Sequence, residues 1–422
     1  MAKKRNSRLV AAEIIALWME NQSFPDRQLA KVQNDHAFIL EVVNGVVRNQ
    51  NIFQWLERQW LKKSPQPFFR AVLEVGLYQL LFMENVEQYA AISETVDAAK
   101  GRPGGPGNAK MINAVLRRAQ REGEKVFQLL EKQPAHIRLS HPKYLMDRWT
   151  RQYGEAAAIR LAEWDNHPPA TVLRIEQSAI DADEFKEKLR EGGIEAEVHP
   201  FSSYEIFLQL PRGIAVKKVP GYSEGWFTIQ DPATSVAVDL LAPRPGEAVL
   251  DACAAPGGKA AMMAGRMKGQ GELVAMDLHD DRIAVLQENQ KRLGLDWMEI
   301  VRGDARKPQA LDGRTFDAIL LDVPCLNTGV LRRRADARWR VDEERIGKIA
   351  RLQREILDAG AGLLKEGGRL VYSTCSLEAE ENEDLVAEWV QEHPEFVLEK
   401  TEKSFPPESG VDGAFAALIR RK

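Results

Sequence analysis

The residues of this chain best suited to chemistry are its three cysteines, and each lies in a short motif. Cys253 falls in Asp251-Ala-Cys-Ala-Ala-Pro-Gly-Gly-Lys259, Cys325 closes Asp322-Val-Pro-Cys325, and Cys375 sits in Ser373-Thr-Cys-Ser376. A thiolate is a soft, strong nucleophile, suited to adding to an electron-poor carbon. The cysteines are 72 and 50 residues apart, with no Cys-x-x-Cys pair. So sparse and odd a count fits neither a disulfide framework nor a zinc site. A cytoplasmic setting and no bound metal are expected. The histidines are scattered and carry no motif.

Three kinds of pattern must position these motifs. Through residues 6–122 apolar side chains recur at helical spacing, as in 37–47 and 68–82, with one Gly/Pro break over 101–107. Residues 123–140 read as a linker. Two helical pieces, Tyr144–Tyr153 and Glu155–Asn166, precede a β-α-β-β pattern at Thr171–Ile175, Asp183–Arg190, Glu195–His199 and Glu205–Leu210. From about Asp231 strands and helices alternate. Strands are expected at Ala248–Cys253, Glu272–Asp277, Met298–Asp304, Phe316–Asp322, Arg369–Thr374 and Phe415–Arg420. Helices are expected at Gly258–Met267, Asp281–Leu293, Glu343–Leu364 and Ala379–Glu392. Such alternation predicts a mostly parallel sheet wrapped by helices, with ligands at the carboxyl ends of its strands. Asp251, Asp277, Asp304, Asp322, Cys325 and Cys375 all fall at or just past such ends. The expected fold is multidomain: an all-α part over 1–140, a small α+β module over 141–230 and an α/β domain over 231–422.

Met1-Ala-Lys-Lys-Arg5 looks like the start of a signal peptide, but Glu13 interrupts the apolar stretch that follows. Leu9, Ala12, Ile15 and Met19 fit an amphipathic helix instead. No apolar run approaches the roughly 18–20 residues of a membrane span. The net charge of −4 is uneven: residues 1–150 carry 22 Lys and Arg against 15 Asp and Glu, and residues 151–422 carry 36 against 47. A basic front end suits nucleic acid, and a solvated helical surface would show the same excess.

The loop Cys253, Ala254, Ala255, Pro256, Gly257, Gly258, Lys259 follows an expected strand and opens an expected helix. Its glycines let backbone approach a ligand. It is not a P-loop, because the glycine spacing differs and Ala260 replaces the metal-binding hydroxyl; nor is it Gly-x-Gly-x-x-Gly. With Asp277 ending the next strand and the Gly303-Asp304-Ala305 turn after it, the set reads as an adenosyl pocket. The Pro-Cys of Asp322-Val-Pro-Cys325 has an analogue in zinc deaminases, but Leu326-Asn-Thr328 follows it and no His-x-Glu precedes it. Downstream, Arg332, Arg333, Arg334, Arg338 and Arg340 surround Trp339 with one acid, Asp336, among them. That density suggests phosphate contacts and base stacking.

Taken together, the glycine loop, the Pro-Cys and the Thr-Cys resemble the RNA cytosine-5 methyltransferases. DNA cytosine-5 methyltransferases also use a Pro-Cys but lack the second cysteine. The stretch Tyr222–Ser235 extends the likeness to the RsmB (Fmu/Sun) group of bacterial 16S rRNA enzymes. Residues 35–38, 76–82 and 112–117 resemble the NusB-type RNA-binding domain that this group carries. The resemblance implies S-adenosyl-L-methionine as cofactor, held by the Cys253–Lys259 loop with Asp277, Asp304 and Asp322. It implies Cys375 as the thiolate that adds to C6 of cytosine, and Cys325 as the group that assists release. Asp322 would hydrogen-bond the base, and Lys259 would approach it. It implies 16S rRNA as partner, at an unstacked cytosine, and a monomer. The alternatives are a tRNA cytosine-5 methyltransferase and, in another class, a non-catalytic NusB-like RNA-binding or antitermination protein. The family usually reads Asp-Ala-Pro-Cys-Ser-Gly, where this chain has Val323, Leu326 and Asn327, and its loop lysine is more often followed by Thr than by Ala260.

Overall fold

The computed structural model describes residues 6–201 and 203–422; the reading of Met1–Arg5 lies outside the described residues. The chain forms two compact units, one running to His167 together with Arg334–Arg340, the other made of Pro168–Arg333 and Val341–Lys422.

The first unit is all helical. Its long helices span Ser7–Asn21, His36–Arg48, Gln50–Trp60, Pro67–Phe82, Gln88–Lys100 and Gly105–Leu130. Asn6 caps the first by accepting from the amides of Arg8 and Leu9, and Pro67 opens the fourth. Ile15, Val43, Val72, Leu77, Ile112 and Leu116 are fully buried where these helices meet. Gly45 is required there, since a Cβ would stand 2.0 Å from the Tyr78 ring. The expected linker over 123–140 is mostly helix instead. The apolar stripe of Ala119, Val126 and Leu130 continues into the core, and Ala135–Arg138 adds a further turn. Helices Lys143–Tyr153 and Glu155–Asn166 complete the unit, with Leu145, Trp149 and Leu161 buried.

Arg334–Arg340 also belongs to this unit, and that corrects part of the expected phosphate-binding cluster. Ala335 and Trp339 join the helical core, and Trp339 Nε1 donates to the Val47 carbonyl at 2.8 Å. Arg338 is 0% exposed and donates to Ser140 O at 3.2 Å, Asn166 Oδ1 at 2.9 Å and Asp165 O at 3.2 Å. Burial, opposed by Asp165, pushes the Arg338 pKa down to about 9. Arg340 donates to Ser23 O, pairs with Asp336 at 2.9 Å and lies over the Phe24 ring. Cations enclosed in this way, with their terminal nitrogens on acceptors of the same unit, are structural and do not face a phosphate. Arg334 stays exposed.

The second unit holds two sheets. Strands β1 (Val172–Ile175), β2 (Glu197–Val198), β3 (Phe207–Gln209) and β4 (Phe227–Ile229) form an antiparallel sheet in the order β2-β3-β1-β4. The helix Ala182–Glu191 buries Phe185 and Leu189 in the cluster that includes Leu173 and Phe227. The larger sheet comprises β5 (Ala248–Asp251), β6 (Glu272–Asp277), β7 (Glu299–Arg302), β8 (Phe316–Asp322), β9 (Leu364–Thr374), β10 (Phe396–Ser404) and β11 (Ala414–Arg421). Its order is β10-β11-β9-β8-β5-β6-β7, parallel from β9 to β7 and antiparallel at β11 and β10. Helices Gly258–Met267, Asp280–Arg292, Glu343–Ala361 and Glu383–Glu392 connect or cover it. Ala318–Leu321 is apolar and fully buried, as a strand covered on both faces must be. The register pairs Asp322 with Ser373, so the residues just past β8 and β9 emerge side by side. Among the described residues no helix is long and apolar enough to cross a membrane.

Candidate active site

Because β8 and β9 are neighbours, their C-terminal turns bring the two thiols together: Cys325 Sγ and Cys375 Sγ stand 3.1 Å apart, both half-buried. Beside them Lys259, on the first turn of the helix Gly258–Met267, donates to Asp322 Oδ2 at 2.7 Å. Ser373 Oγ donates to the other oxygen of Asp322 at 3.4 Å. The four residues assigned chemistry from the sequence thus meet at one sheet edge. Burial works against the Lys259 charge, but the Asp322 carboxylate, with Cys375 and Asp251 nearby, outweighs it and raises the Lys259 pKa. The Cys325 thiol is pushed well up by its hydrogen bond with Cys375, then by burial and by the charges of Cys375 and Glu381.

A buried carboxylate absent from the sequence-based site holds both thiol loops. Glu381 accepts from the Leu326 amide at 3.0 Å and from Gln353 Nε2 at 2.9 Å on one oxygen, and from the Ser376 hydroxyl on the other. Gln353 also donates to Pro324 O at 3.0 Å, and Tyr372 OH donates to the Glu381 carbonyl at 2.6 Å. Burial pushes Glu381 up to about 7 against these hydrogen bonds. The residues flanking both cysteines are therefore fixed by one side chain.

The glycine loop lines a cavity of about 440 Å³ together with Asp251, Asp322, Gln230, Asp231 and Arg292. Gly257 has φ +104°, and a Cβ there would meet Leu286 at 2.7 Å. Both Asp251 side-chain oxygens are buried with no hydrogen-bond partner, and burial, then the Asp322 charge, raises that carboxyl to about 7. Cys253 is a different thiol from the other two. Burial and the charges of Asp251, Asp322 and Asp277 drive its pKa far up. Asp277 accepts from the amides of Ala255 at 3.1 Å and Leu278 at 2.8 Å and so braces the loop, but it is not among the cavity's lining residues. Asp304 also stands apart from that lining, with Arg306 Nε at 3.0 Å and Nη2 at 2.6 Å clasping its carboxylate. Arg333, expected on phosphate, instead bridges Asp231 at 2.8 Å and Asp412 at 2.6 Å within the unit.

The family model for the 16S rRNA methyltransferases RsmB/F matches residues 238–419, the NusB family model residues 5–121, and an RsmF/B-like ferredoxin-like domain residues 141–215. The probable ribosomal RNA small subunit methyltransferase B of Bacillus subtilis is 31% identical over the whole of both chains. The chain belongs to the RsmB/F family of rRNA methyltransferases. The ribosomal RNA small subunit methyltransferase B of Erwinia tasmaniensis is 35% identical over 99% of each chain, and that of Pseudomonas syringae 38% identical over 90% of this chain and 86% of its own. Among solved structures, PH0851 overlays with a TM-score of 0.79 at 24% identity, covering 99% of this chain and all of its own, which speaks for the fold. A methyltransferase homolog from Pyrococcus horikoshii overlays at 0.60 with 28% identity, covering 68% of this chain and 98% of its own. The helical NusB-like unit, the small α+β module and the α/β methyltransferase sheet are those of this family.

Proposed function

We propose that this methyltransferase acts on C5 of a cytosine in 16S rRNA through a covalent cysteine–C6 adduct. The observation that carries the reading is the thiol pair at 3.1 Å beside the Lys259–Asp322 ion pair. C5 of cytosine is a poor nucleophile, and addition of a thiolate at C6 moves electron density onto it. Cys375 is the adding group, with the Lys259 charge close by. Asp322, held by Lys259 and Ser373, hydrogen-bonds the N3/N4 edge and orients the ring. Cys325 assists removal of the C5 proton and the β-elimination that restores the free Cys375.

S-adenosyl-L-methionine fits the residues present. The cavity is of adequate size, the glycine loop and Asp322 line it, and the buried Asp251 carboxyl stands in its wall. The loop 253–259 and Asp322, which line the cavity, would hold the cofactor, with Asp277 bracing the loop and Asp304, at the next strand end, reaching it only if Arg306 yields. Asp277 already accepts from the amides of Ala255, Leu278 and His279 and lies 3.3 Å from Arg282 Nη2, so a ribose hydroxyl would share or replace one of these contacts. When bound, the cofactor supplies an electrophilic methyl group. The basic NusB-like unit and the exposed Arg334, with Arg332, hold the RNA of a cytoplasmic, monomeric enzyme whose target lies in an unstacked segment.

The test is purified protein with S-adenosylmethionine and either 16S rRNA or bulk tRNA, the products mapped by bisulfite sequencing. One protected cytosine in 16S rRNA is expected. Protection in tRNA alone would move the substrate, and methylation without bisulfite protection would sink the C5 assignment.

A further inference from the structure

Asn327 lies two residues past Cys325 with φ +62°, a left-handed conformation that Asn tolerates better than most residues. Its carboxamide reaches both thiol loops. Nδ2 donates to the Cys325 carbonyl at 2.7 Å, and Oδ1 stands 3.3 Å from Cys375 Sγ. The carbonyl fixes which way the amide points, because a flipped amide would set oxygen against oxygen. Oδ1 can only accept, so the Cys375 thiol must donate its proton to it. The Cys375 sulfur is then left to accept from the Cys325 thiol at 3.1 Å. The three hydrogen bonds close a ring with one sense: Cys325 S–H to Cys375, Cys375 S–H to Asn327, Asn327 N–H to the Cys325 carbonyl.

We propose that Asn327 is a latch on the nucleophile, holding Cys375 as a thiol in the free enzyme until an incoming pyrimidine displaces the carboxamide. The significance rests on Cys375 being the adding group. A hydrogen bond accepted from the neutral form disfavours the charged one. The charged and titratable groups facing this thiol are Lys259, which favours the thiolate, and Asp322, which is paired with that lysine. Cys325 is the remaining neighbour, and Glu381 lies behind Cys325. Asn327 acts against Lys259, so the thiol stays unreactive towards stray electrophiles while no RNA is bound. It is a positioning residue that works through Cys375.

The test uses the full-length protein without RNA. Iodoacetamide labelling of Cys375 is followed by peptide mass spectrometry across pH 6–9. Asn327→Gly relieves the positive φ, so the melting midpoint should not fall. Labelling at pH 7 should rise about fivefold, the effect of losing one ordinary hydrogen bond, and its pH profile should move to lower pH. Asn327→Asp loses the bond to the Cys325 carbonyl but keeps an acceptor and adds a negative charge, so labelling should be slower than in Asn327→Gly. Unchanged labelling in Asn327→Gly overturns the proposal. So does a rise that is the same at every pH, which would report access rather than proton release. Equal acceleration in both variants also overturns it. If Cys375→Ala still methylated RNA, the nucleophile assignment would fall while the labelling result stood, so the two failures are separable.

Discussion

Cys325 and Cys375 end adjacent parallel strands and nearly touch, yet their surroundings differ. Cys325 follows Pro324 and has the buried Glu381 behind it, and both the hydrogen bond it makes with Cys375 and burial raise its pKa. Cys375 has Asn327 on one side and the Lys259 charge within electrostatic reach. The same residue at the same kind of strand end thus stands against a buried acid in one case and between a carboxamide and a lysine in the other.

The largest test of that difference removes each sulfur in turn. Cys375→Ala should abolish both methylation and any RNA adduct that survives a denaturing gel. Cys325→Ala should also stop turnover but let the adduct accumulate, because attack remains possible and release does not. An adduct trapped by Cys375→Ala and absent in Cys325→Ala would exchange the roles. Loss of neither activity would end the covalent mechanism.

A smaller effect should follow Lys259→Met. The variant leaves Asp322 unpaired and removes the positive charge beside Cys375. Single-turnover methylation should slow by roughly 10²-fold, the scale of losing one well-placed electrostatic contact. Iodoacetamide labelling of Cys375 should slow with it, while labelling of Cys325 stays as it was. Equal slowing of both thiols would show that the lysine does not distinguish them.

The smallest effect on turnover is expected at the side chain shared by both loops, whose signature is in stability. Glu381 is neutral in the fold up to about pH 7, against an ordinary value of 4.5. A carboxyl raised in this way favours folding fully below its unfolded pKa, and that contribution is lost as pH rises through the folded one. Wild-type stability should therefore decline by up to about 3 kcal/mol between roughly pH 4.5 and 7 on account of this group. Glu381→Gln should remove that slope. Thermal melts at pH 5 and pH 8 would show it, and parallel pH dependence in the two proteins would count against a buried acid at this position.

Much of this site was readable in the sequence because local pattern carries it. The strand ends at Asp277 and Asp322 and the helix Gly258–Met267 lie where the alternation of apolar runs and glycine turns puts them. A buried parallel strand such as 318–321 cannot hide its apolar run. Strand β10 carries no apolar alternation to read, because 397–401 is exposed and Glu399, Lys400, Glu402 and Lys403 are charged, as in an edge strand with one partner. Glu381 sits among Glu378, Glu380 and Glu383, and nothing local says which of the four turns inward over Ser376. Asn327 was visible as a departure at the loop, but its partners come from another strand. Arg338 misled for the reverse reason: an arginine-rich stretch reads as a surface, and only long-range contacts with Ser140 and Asn166 show that one of its cations is interior.

That short stretch bears on how the protein can be taken apart. Residues 334–340 lie in the second half of the chain but are folded into the first unit, where Trp339 and Ala335 sit in a helical core. No single cut can therefore yield both units intact. A fragment beginning near residue 168 would present an indole and a desolvated guanidinium to water, and a fragment ending there would lack a piece of its own interior. Loss of activity on truncation would then report an unfilled core as readily as lost RNA binding. For the same reason the two units cannot be exchanged between relatives by simple end-to-end fusion, since the inserted heptapeptide must travel with the helices that enclose it.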